Sequence, residues 1–576
     1  MNLLPVPRTL EMPGTTVPVR PATHRHDGSL PAQGYELHIG PESVELTAAD
    51  DAGLFYGEIT LAQLAALHDG GLPEGTVRDH PDLLVRGVML DISRDKVPTT
   101  ERLHALIDRL ASLKINQLQL YSEHTFAYKN HRDVHVAASP LDADEILALD
   151  AYCRERHVEL VPNQNCLGHM NRWLAHARYR PLAIEPDGFV DPYGITREPM
   201  TIEPNNPGSL ALIRELLGEL LPLFTSRRVH VGLDEAWELP AGRIEDFLGW
   251  ATTLRGLPEL EGREMLMWGD MLAGQPDLLA RLPSGVTVCE WGYDDWHPFD
   301  ERCAALAQAG LPFWVAPGTS SWMSILGRVT NARNTCQRAA AAALAHGATG
   351  YLNTDWGDLG HLQQPVISEP GFAYGAAVSW CMESNTDLDL AAALSAHVFR
   401  DPTGNMADAV LSVGDAHRLV TPQFPNMSTL VMNLYYPQLP VGRGLTKGLT
   451  ARELPEVERC LEEARRAVAA SQPDLDDAQR WRDEVTFGID LVGLLVRDAR
   501  ARLEVDGFLE SVATEVREGL GAELDALMPR YRALWLANNR PGGLEDSVRW
   551  LANLRQAYAT GRTDPDWGGI RIPARN

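Results

Sequence analysis

Residues 229–235 read VHVGLDE, a short apolar segment joined to two adjacent carboxylates, Asp234 and Glu235. The apolar segment is typical of a buried β-strand. Neighbouring side chains of a regular strand point to opposite faces, so both carboxylates can reach one ligand only where the chain leaves the strand. One carboxylate could then stay ionised while the other is held protonated as an acid. The alternative is a capping Asp followed by a solvated Glu at the start of a helix.

The same pattern, an apolar run followed by polar residues, occurs eight times between residues 83 and 385. Amphipathic helical segments fit between the runs, for example at 100–113 and 143–156. Eight β-then-α units in about 300 residues predict an α/β fold, the (β/α)8 TIM barrel. The main alternative is a doubly wound open sheet, but the first run is not followed by GxGxxG and the chain has no Walker sequence. The eight runs are 84–90, 117–121, 158–162, 229–233, 265–268, 286–291, 313–316 and 350–353.

Two further regions flank the predicted barrel of residues 83–385. Residues 1–82 are predicted to form a small N-terminal α+β domain, with alternating strands at 34–39 and 43–47. Residues 386–576 are predicted to form a C-terminal helical region, because apolar residues recur there at three- and four-residue spacing. We expect these helices to pack on the barrel or to form a homo-oligomer contact.

Composition narrows the class of partner. The chain has 576 residues, 44% of them hydrophobic, and a net charge of −27. Acidity of this size argues against nucleic acid and anionic membranes as partners. No run of 18 apolar residues predicts a membrane span. The first five residues lack the basic and apolar segments of a signal peptide, and the seven cysteines form no CxxC pair. These features predict free thiols and a cytoplasmic location.

The residues that follow the runs would meet at one rim of a barrel, where the active sites of this fold are built. Four tryptophans among them could stack on the C–H faces of a sugar whose hydroxyls bind nearby carboxylates. Core packing is the commoner fate of any single tryptophan. The tryptophans are Trp268, Trp291, Trp322 and Trp356, and the other rim residues include Asp91, Arg94, Glu123, Asn165, Asp270, Glu290 and Asp358.

A metal site is an alternative reading of the same rim. His124, His169 and His230 could gather with Asp234 around Zn²⁺. None of these three histidines lies in a close-spaced HxH or HExxH pair, so we predict neither a metal nor another cofactor. His169 could instead pair with Glu123 to orient a neighbouring acid.

In these residues the chain resembles family 20 glycoside hydrolases, the β-N-acetylhexosaminidases. The family marks its fourth strand with His-x-Gly-Gly-Asp-Glu, and this chain has HVGLDE at 230–235. RGVMLDISR at 86–94 looks like the family's first-strand signature. GH at 168–169 matches its Pro-Gly-His segment, with Leu in place of Pro, and WGD at 356–358 resembles its Trp-Gly-Glu. The resemblance covers roughly residues 30–380, and the ordered set of motifs is more specific than any one of them.

The resemblance implies exo-acting, retaining hydrolysis of a terminal β-linked N-acetylhexosamine, in which the acetamido oxygen of the substrate attacks and forms an oxazolinium intermediate. Asp234 would hold the acetamido N–H. Glu235 would protonate the leaving oxygen and then deprotonate water. The remaining roles by resemblance are a supporting pair of His169 with Glu123, binding of the outer hydroxyls by Arg86 and Asp358, and an aromatic pocket of Trp268, Trp291 and Trp356.

Two departures from the family pattern concern sugar specificity. The family tyrosine that follows the seventh strand and holds the acetamido oxygen has no clear match, since PGTSSW stands at 317–322. The His-rich end of the second strand is replaced by YSEH at 121–124. Two other functions stay open: a retaining β-glycosidase with Glu235 as acid and Glu290 as enzymic nucleophile, and a non-catalytic sugar-binding barrel.

Overall fold

The computed structural model describes residues 2–94, 96–192, 194–273, 275–564 and 567. Its centre is a closed barrel of eight parallel strands, in which each strand pairs with the next along the chain and the eighth pairs with the first. Each of the eight predicted runs overlaps one of these strands, so the predicted TIM barrel is confirmed. The barrel strands are Val85–Asp91, Gln117–Ser122, Glu159–Gln164, Arg228–His230, Glu264–Trp268, Val286–Trp291, Phe313–Ala316 and Gly350–Asp355.

The barrel strands alternate between an inner and an outer apolar layer. In the fifth strand, Leu266 and Trp268 belong to the cluster that fills the barrel interior. Met265 and Met267 belong to the larger cluster beneath the surrounding helices. This two-residue period explains why the strands read as continuous apolar runs, because both faces are buried.

Helices cover the outside of the barrel. The first of eight or more residues, Thr100–Ser112, begins where the Thr99 side chain accepts the N–H of Arg102. The helix Ala143–Arg154 begins with a capping box of Asp142 and Glu145. The remaining long helices around the barrel are Pro207–Leu220, Ile244–Arg255, Phe299–Gln308, Val329–His346 and Glu369–Trp380. Short helices of four residues lie at Arg132–His135, Asn171–Leu174 and Pro276–Leu279.

The N-terminal region is a five-stranded mixed sheet with one helix, Asp51–Ala66, packed on it. A second pair of strands, Thr16–Pro18 and Gly71–Pro73, lies beside it. The observed α+β organisation is the one predicted. In spatial order, the strands of the sheet are Thr9–Glu11, Gly75–Asp79, Tyr35–Ile39, Val44–Ala48 and Thr23–His26.

A buried polar network joins this region to the start of the barrel strands. Asp79 accepts hydrogen bonds from Tyr35 at 2.8 Å and from the indole N–H of Trp380 at 2.9 Å. It also forms an ion pair of 3.0 Å with Lys114. The Lys114 carbonyl in turn accepts the Nε–H of Arg86 at 2.9 Å.

The C-terminal region is helical, as predicted, and its helices pack on loops at the carboxyl end of the barrel. The Glu484 carboxylate accepts the backbone N–H of Val366 at 3.2 Å, and the Ser547 hydroxyl donates to the Gly360 carbonyl. None of the helices in the described residues is long and apolar enough to span a bilayer. The domain limits at 82 and 385 stay predictions. Residues 565, 566 and 568–576 of the C-terminal region lie outside the described part. Its helices are Met382–Asn385, Leu390–Ala393, Asn405–Gly414, Met432–Tyr435, Leu454–Ala470, Ala478–Leu503, Thr514–Asn538 and Leu544–Thr560.

Candidate active site

The fourth strand ends at His230, and the chain then bends sharply through the residues that carry the two carboxylates. Gly232, Leu233 and Glu235 have φ angles of +71°, +73° and +47°. A positive φ is unfavourable for Leu and Glu, so the surrounding structure must hold this bend. The bend brings both neighbouring carboxylates to one side, as the sequence predicted for a catalytic pair. A regular strand would have separated them.

Asp234 is held by an amide from the loop after the third strand. Its Oδ1 accepts a hydrogen bond of 2.8 Å from Asn165. A Cβ on Gly232 would lie 2.5 Å from that amide, so glycine is required for its approach. Burial alone would raise the pKa of Asp234, but His169 and Asn165 outweigh it and the pKa lies below its usual value. Asp234 is therefore ionised at neutral pH.

His169 lies at the centre of the charged side chains. Its Nε2 is 3.2 Å from Oδ2 of Asp234 and 3.4 Å from Oε2 of Glu235. On the other side of the ring, Nδ1 is 3.8 Å from Oε1 of Glu123 and 3.3 Å from Nη2 of Arg94. Burial alone would lower the pKa of His169, but Asp234 and Glu235 raise it to about 10. Nε2 of His169 therefore lies within ion-pair distance of both carboxylates.

Arg94 is the arginine of the first-strand motif that reaches the rim. It forms ion pairs with Asp91 at 3.3 Å and with Glu123 at 3.4 Å. Its guanidinium also lies over the rings of Tyr121 and Trp356, at 4.9 and 5.1 Å from their centroids. Arg94 therefore joins the loops after the first, second and eighth strands.

The assignment of Arg86 to sugar binding is wrong. Arg86 is the second residue of the first strand, so it lies at the amino end of the barrel, opposite the rim. It is fully buried, and it donates to the carbonyls of Lys114 and Leu83 at 2.9 and 2.7 Å. Arg94, eight residues later, occupies the place that Arg86 was expected to take.

The four tryptophans occupy different depths of the barrel mouth. Trp268 is fully buried against His230, with ring centroids 4.4 Å apart, and its N–H has no partner among the described residues. Trp356 lies above it at 6.0 Å and donates its N–H to the hydroxyl of Tyr293 at 2.8 Å. The remaining two tryptophans flank Tyr293: Trp291 stacks on it at 5.0 Å, and the fully buried Trp322 meets it edge-on at 5.2 Å.

Two further carboxylates complete the charged side of the mouth. Asp358, a predicted site residue, is partly buried, and burial raises its pKa to about 6 against the opposing effect of Arg94. Asp270 accepts the backbone N–H of Glu235 at 3.0 Å and the indole N–H of Trp291 at 3.2 Å. Burial, together with the nearby Asp234, raises the pKa of Asp270 to about 7. Asp270 thus fixes the backbone of the predicted general acid.

Sequence reasoning placed Asn165, Asp270 and Arg94 at the rim without giving them a role, and it missed Tyr293. The position of Tyr293 just after the sixth strand was a usable signal. The side-chain partners of these residues were not predictable, because they come from other loops.

Glu290, the candidate enzymic nucleophile, faces away from the barrel interior. Along the sixth strand, Cys289 belongs to the inner cluster and Val288 to the outer one. The Glu290 carboxylate lies on the outer side with Val288, since both would contact a Cβ built on Gly269. It is bonded to Nε2 of His297 at 3.0 Å. Glu290 therefore cannot attack a sugar held at the rim.

The histidines of the metal hypothesis do not gather. Burial lowers the pKa of both His124 and His230 to about 3. Nδ1 of His230 accepts the Gly232 N–H at 3.1 Å, so that atom is occupied. His169, Asp234 and Glu235 do have potential ligand atoms within 4.8 Å of one another. These are the same three residues whose ion-pair distances are given above, His169 with the two carboxylates.

Comparison with known proteins yields two family models. Residues 85–349 match the model "Glycosyl hydrolase family 20, catalytic domain", and residues 6–80 match "Glycosyl hydrolase family 20, domain 2". Together these matches cover more than half of the chain.

Relatives and solved structures agree with the models. The chain is 27% identical to a beta-hexosaminidase of Akkermansia muciniphila over 238 residues, which are 36% of this chain and 47% of that protein. It is 26% identical to a lacto-N-biosidase of Bifidobacterium bifidum over 203 residues, 35% of this chain and 17% of that one. The chain thus spans less than half the length of these relatives. The GH20 beta-N-acetylhexosaminidase from Streptomyces coelicolor A3(2) shares the fold, with a TM-score of 0.54 and 21% identity over 69% of this chain and 95% of that one.

Proposed function

The chain belongs to glycosyl hydrolase family 20, and from that premise we propose that it is an exo-acting, retaining β-N-acetylhexosaminidase. Its substrate would be a glycan or amino sugar with a terminal β-linked N-acetylglucosamine or N-acetylgalactosamine. The nucleophile would be the acetamido oxygen of the substrate itself, so no cofactor is required.

The observation that carries this proposal is the contact of Asp234 and Glu235 with the same nitrogen of His169, at 3.2 and 3.4 Å. In the two-carboxylate retaining scheme the acid and the nucleophile flank the glycosidic bond, about 5 Å apart. Here Asp234 and Glu235 meet at one nitrogen, and Glu290 faces outward. We infer that Asp234 does not attack and that the 2-acetamido group of the substrate supplies the nucleophile.

Each carboxylate then has a separate task. Ionised Asp234 accepts the acetamido N–H while the carbonyl oxygen attacks the anomeric carbon. Glu235 gives its proton to the leaving glycosidic oxygen as that bond breaks. In the second step Glu235 takes a proton from water, the water oxygen opens the oxazolinium ring, and both carboxylates return to their starting states.

The walls of the mouth suggest how the sugar is held. We assign the outer hydroxyls to Arg94 and Asp358 and the ring face to Trp356. Tyr293 is our candidate for the group that binds the acetamido oxygen. Its hydroxyl accepts the Trp356 N–H at 2.8 Å, and Thr354 lies within reach of the same hydroxyl. The proton of the Tyr293 hydroxyl can then be donated to a bound carbonyl.

Two finer statements about the whole protein are also proposals. A cytoplasmic location is supported by the seven cysteines, all free and six of them buried. A homo-oligomer through the C-terminal helices is supported by exposed apolar side chains there, including Val516 and Leu536, which are 45% and 52% exposed. Light scattering coupled to gel filtration tests the second statement.

The test of function is side-by-side hydrolysis of chromogenic β-linked N-acetylglucosamine, N-acetylgalactosamine and glucose. The N-acetyl sugars should be cleaved, with retention of the anomeric configuration, and the glucoside should be almost inert because it lacks the nucleophile. Equal turnover of the glucoside would exclude participation of the acetamido group. Binding of N-acetylglucosamine without any turnover would favour the sugar-binding barrel.

A further inference from the structure

One segment of the C-terminal region enters the barrel mouth. Residues 424–428 fold back on themselves through a bridge between Phe424 and Met427. The N–H of Ser428 then donates to the carbonyl of Met323, in the loop after the seventh strand, at 3.0 Å. The family models end at residue 349, so neither covers this segment.

Asn426 is the residue of this segment that contacts the site. It has a left-handed backbone, with φ of +55°, which Asn tolerates better than most residues. Its side-chain oxygen accepts the indole N–H of Trp322 at 2.8 Å. Its side-chain NH₂ donates to Oδ2 of Asp358 at 3.3 Å. Both polar atoms of the amide are therefore directed at predicted sugar-site residues.

The backbone of Asn426 is held as firmly as its side chain. Its N–H donates to the carboxylate of Asp294, 3.1 Å from each oxygen. Asp294 is itself paired with the buried Arg328 at 2.7 Å. The three partners of Asn426, which are Asp294, Trp322 and Asp358, follow the sixth, seventh and eighth strands. One residue from outside the barrel thus connects three neighbouring loops of its rim.

The bond to Asp358 leaves that carboxylate half free. Asn426 takes Oδ2, whereas Oδ1 accepts no hydrogen bond from the described residues. A carboxylate with one oxygen fixed is pre-oriented, so a hydroxyl that binds the other oxygen need not pay for ordering the side chain. The outer hydroxyls of a sugar, assigned above to Asp358, are such groups.

We propose that Asn426 is a positioning residue that orients Asp358 and Trp322 and so sets the affinity of the site for the outer hydroxyls of the sugar. This inference rests on the proposed function and deepens it. It gives the C-terminal helical region a part in substrate recognition, where the sequence indicated only packing or a subunit contact.

The variant Asn426→Gly removes the side chain while keeping the backbone N–H to Asp294, and glycine accepts the positive φ without strain. Loss of the hydrogen bond to the Asp358 carboxylate should raise KM for the N-acetyl sugar roughly 3- to 10-fold, with kcat changed less than the KM. The matched control is Gln423→Ala, because Gln423 bonds to the carbonyls of His417 and Val420 and to no site residue. The control should behave as wild type.

A double-mutant cycle with Asp358→Asn separates positioning from mere packing. If Asn426 acts through Asp358, Asn426→Gly should add little to the KM of Asp358→Asn. Additive effects, or a KM for Asn426→Gly equal to that of wild type, would overturn the inference. So would a loss of kcat and melting temperature together without a change in KM.

The failure of this inference and the failure of the proposed function are distinguishable. If the wild-type protein turns over no N-acetyl sugar, the proposed function fails, and calorimetric binding of N-acetylglucosamine to the same four proteins still tests Asn426. Weaker binding by Asn426→Gly, absent in the Asp358→Asn background, would support the positioning role. Unchanged binding would contradict it.

Discussion

Two arginines of one motif, Arg86 and Arg94, lie at opposite ends of the barrel and have opposite environments. Arg86 donates to backbone carbonyls and to Gln33, and it packs against the rings of Tyr56 and Trp380. Arg94 contacts two carboxylates and an imidazole, and 16% of its side chain is exposed. The same residue type thus has a structural place at the amino end and, in the proposed function, a place in the sugar site at the carboxyl end.

The two ends of the barrel differ in how completely their buried carboxylates are paired with hydrogen-bond donors or cations. At the amino end, Asp79 is surrounded by donors from Tyr35, Lys114 and Trp380. At the carboxyl end, like charges are crowded, and Asp270 and Asp358 have raised pKa values because burial and neighbouring carboxylates penalise their ionised forms. Perturbed pKa values of this kind cluster at functional sites. The five predictions below test this contrast, from the largest expected effect to the smallest.

The largest effect should come from Glu235→Gln at the carboxyl end of the barrel. General acid catalysis is worth about 10²- to 10⁴-fold, so hydrolysis of a natural disaccharide should fall by that factor. Aryl substrates with good leaving groups should lose less, because they need no proton. The matched control is Glu290→Gln, a glutamate of the barrel wall that faces outward, which should keep wild-type kcat. Near-wild-type turnover of the disaccharide by Glu235→Gln would refute the assignment.

Next in size is Asp234→Asn. This variant cannot accept the acetamido N–H with a negative charge, so kcat should fall roughly 10²- to 10³-fold while substrate binding changes less. A thiazoline mimic of the oxazolinium intermediate should lose affinity in parallel. The melting temperature should stay close to that of wild type. A variant that hydrolyses at the wild-type rate would show that Asp234 plays no part in the reaction.

The two arginines themselves give the third prediction. Arg94→Met should raise KM roughly 10- to 100-fold, since hydrogen bonds to charged groups are lost, and it should also lower the free energy of unfolding, because the buried carboxylates of Asp91 and Glu123 lose their ion pair. Arg86→Met should lower the free energy of unfolding by about 3 kcal/mol, because buried carbonyls lose their donor, with KM unchanged in the folded fraction. Urea unfolding and steady-state kinetics measure the two effects. A reversed result would restore the original assignment of Arg86.

Arg86 and Arg94 illustrate how much of the fold and of the candidate site the sequence could predict. The barrel followed from eight apolar runs, because strands buried on both faces are apolar throughout. Asp234, Glu235 and His169 followed from where their motifs end. Arg86 was misassigned although its place early in a strand, and hence at the amino end, was already implied by the run itself.

Other contacts of the site were beyond reach of the sequence. The bond of Asp270 to the Glu235 backbone depends on the left-handed bend after the fourth strand. The contact of Asn426 with Asp358 joins residues 68 positions apart through packing of the C-terminal helices. Local patterns predict which residues reach the rim, whereas contacts between loops depend on tertiary packing.

The fourth prediction concerns the folding stability that is lost when the buried carboxyl of Asp270 ionises. Asp270 has a pKa of about 7 in the folded protein, above the usual value of about 3.9 in an unfolded chain. The folded state therefore binds more protons between these values, and its stability falls as pH rises from about 4 to 7. Asp270→Asn should remove this loss, so its unfolding free energy relative to wild type should improve from pH 5 to pH 8. The exposed Asp277→Asn should show no such trend, and a pH-independent difference for Asp270→Asn would contradict the raised pKa.

The smallest expected effect is that of chelators, which should leave activity unchanged. His169, Asp234 and Glu235 have ligand atoms within 4.8 Å of one another, so these three residues are the candidate ligands of a cation at the carboxyl end of the barrel. A histidine must be neutral to bind a metal, whereas the carboxylates raise the pKa of His169 to about 10. The same carboxylates therefore favour the protonated imidazole, which opposes its binding to a metal. Dialysis against EDTA followed by assay with and without Zn²⁺ tests this directly. Activity that disappears on dialysis and returns with Zn²⁺ would mean that His169 is neutral and that the carboxyl end of the barrel holds a metal site.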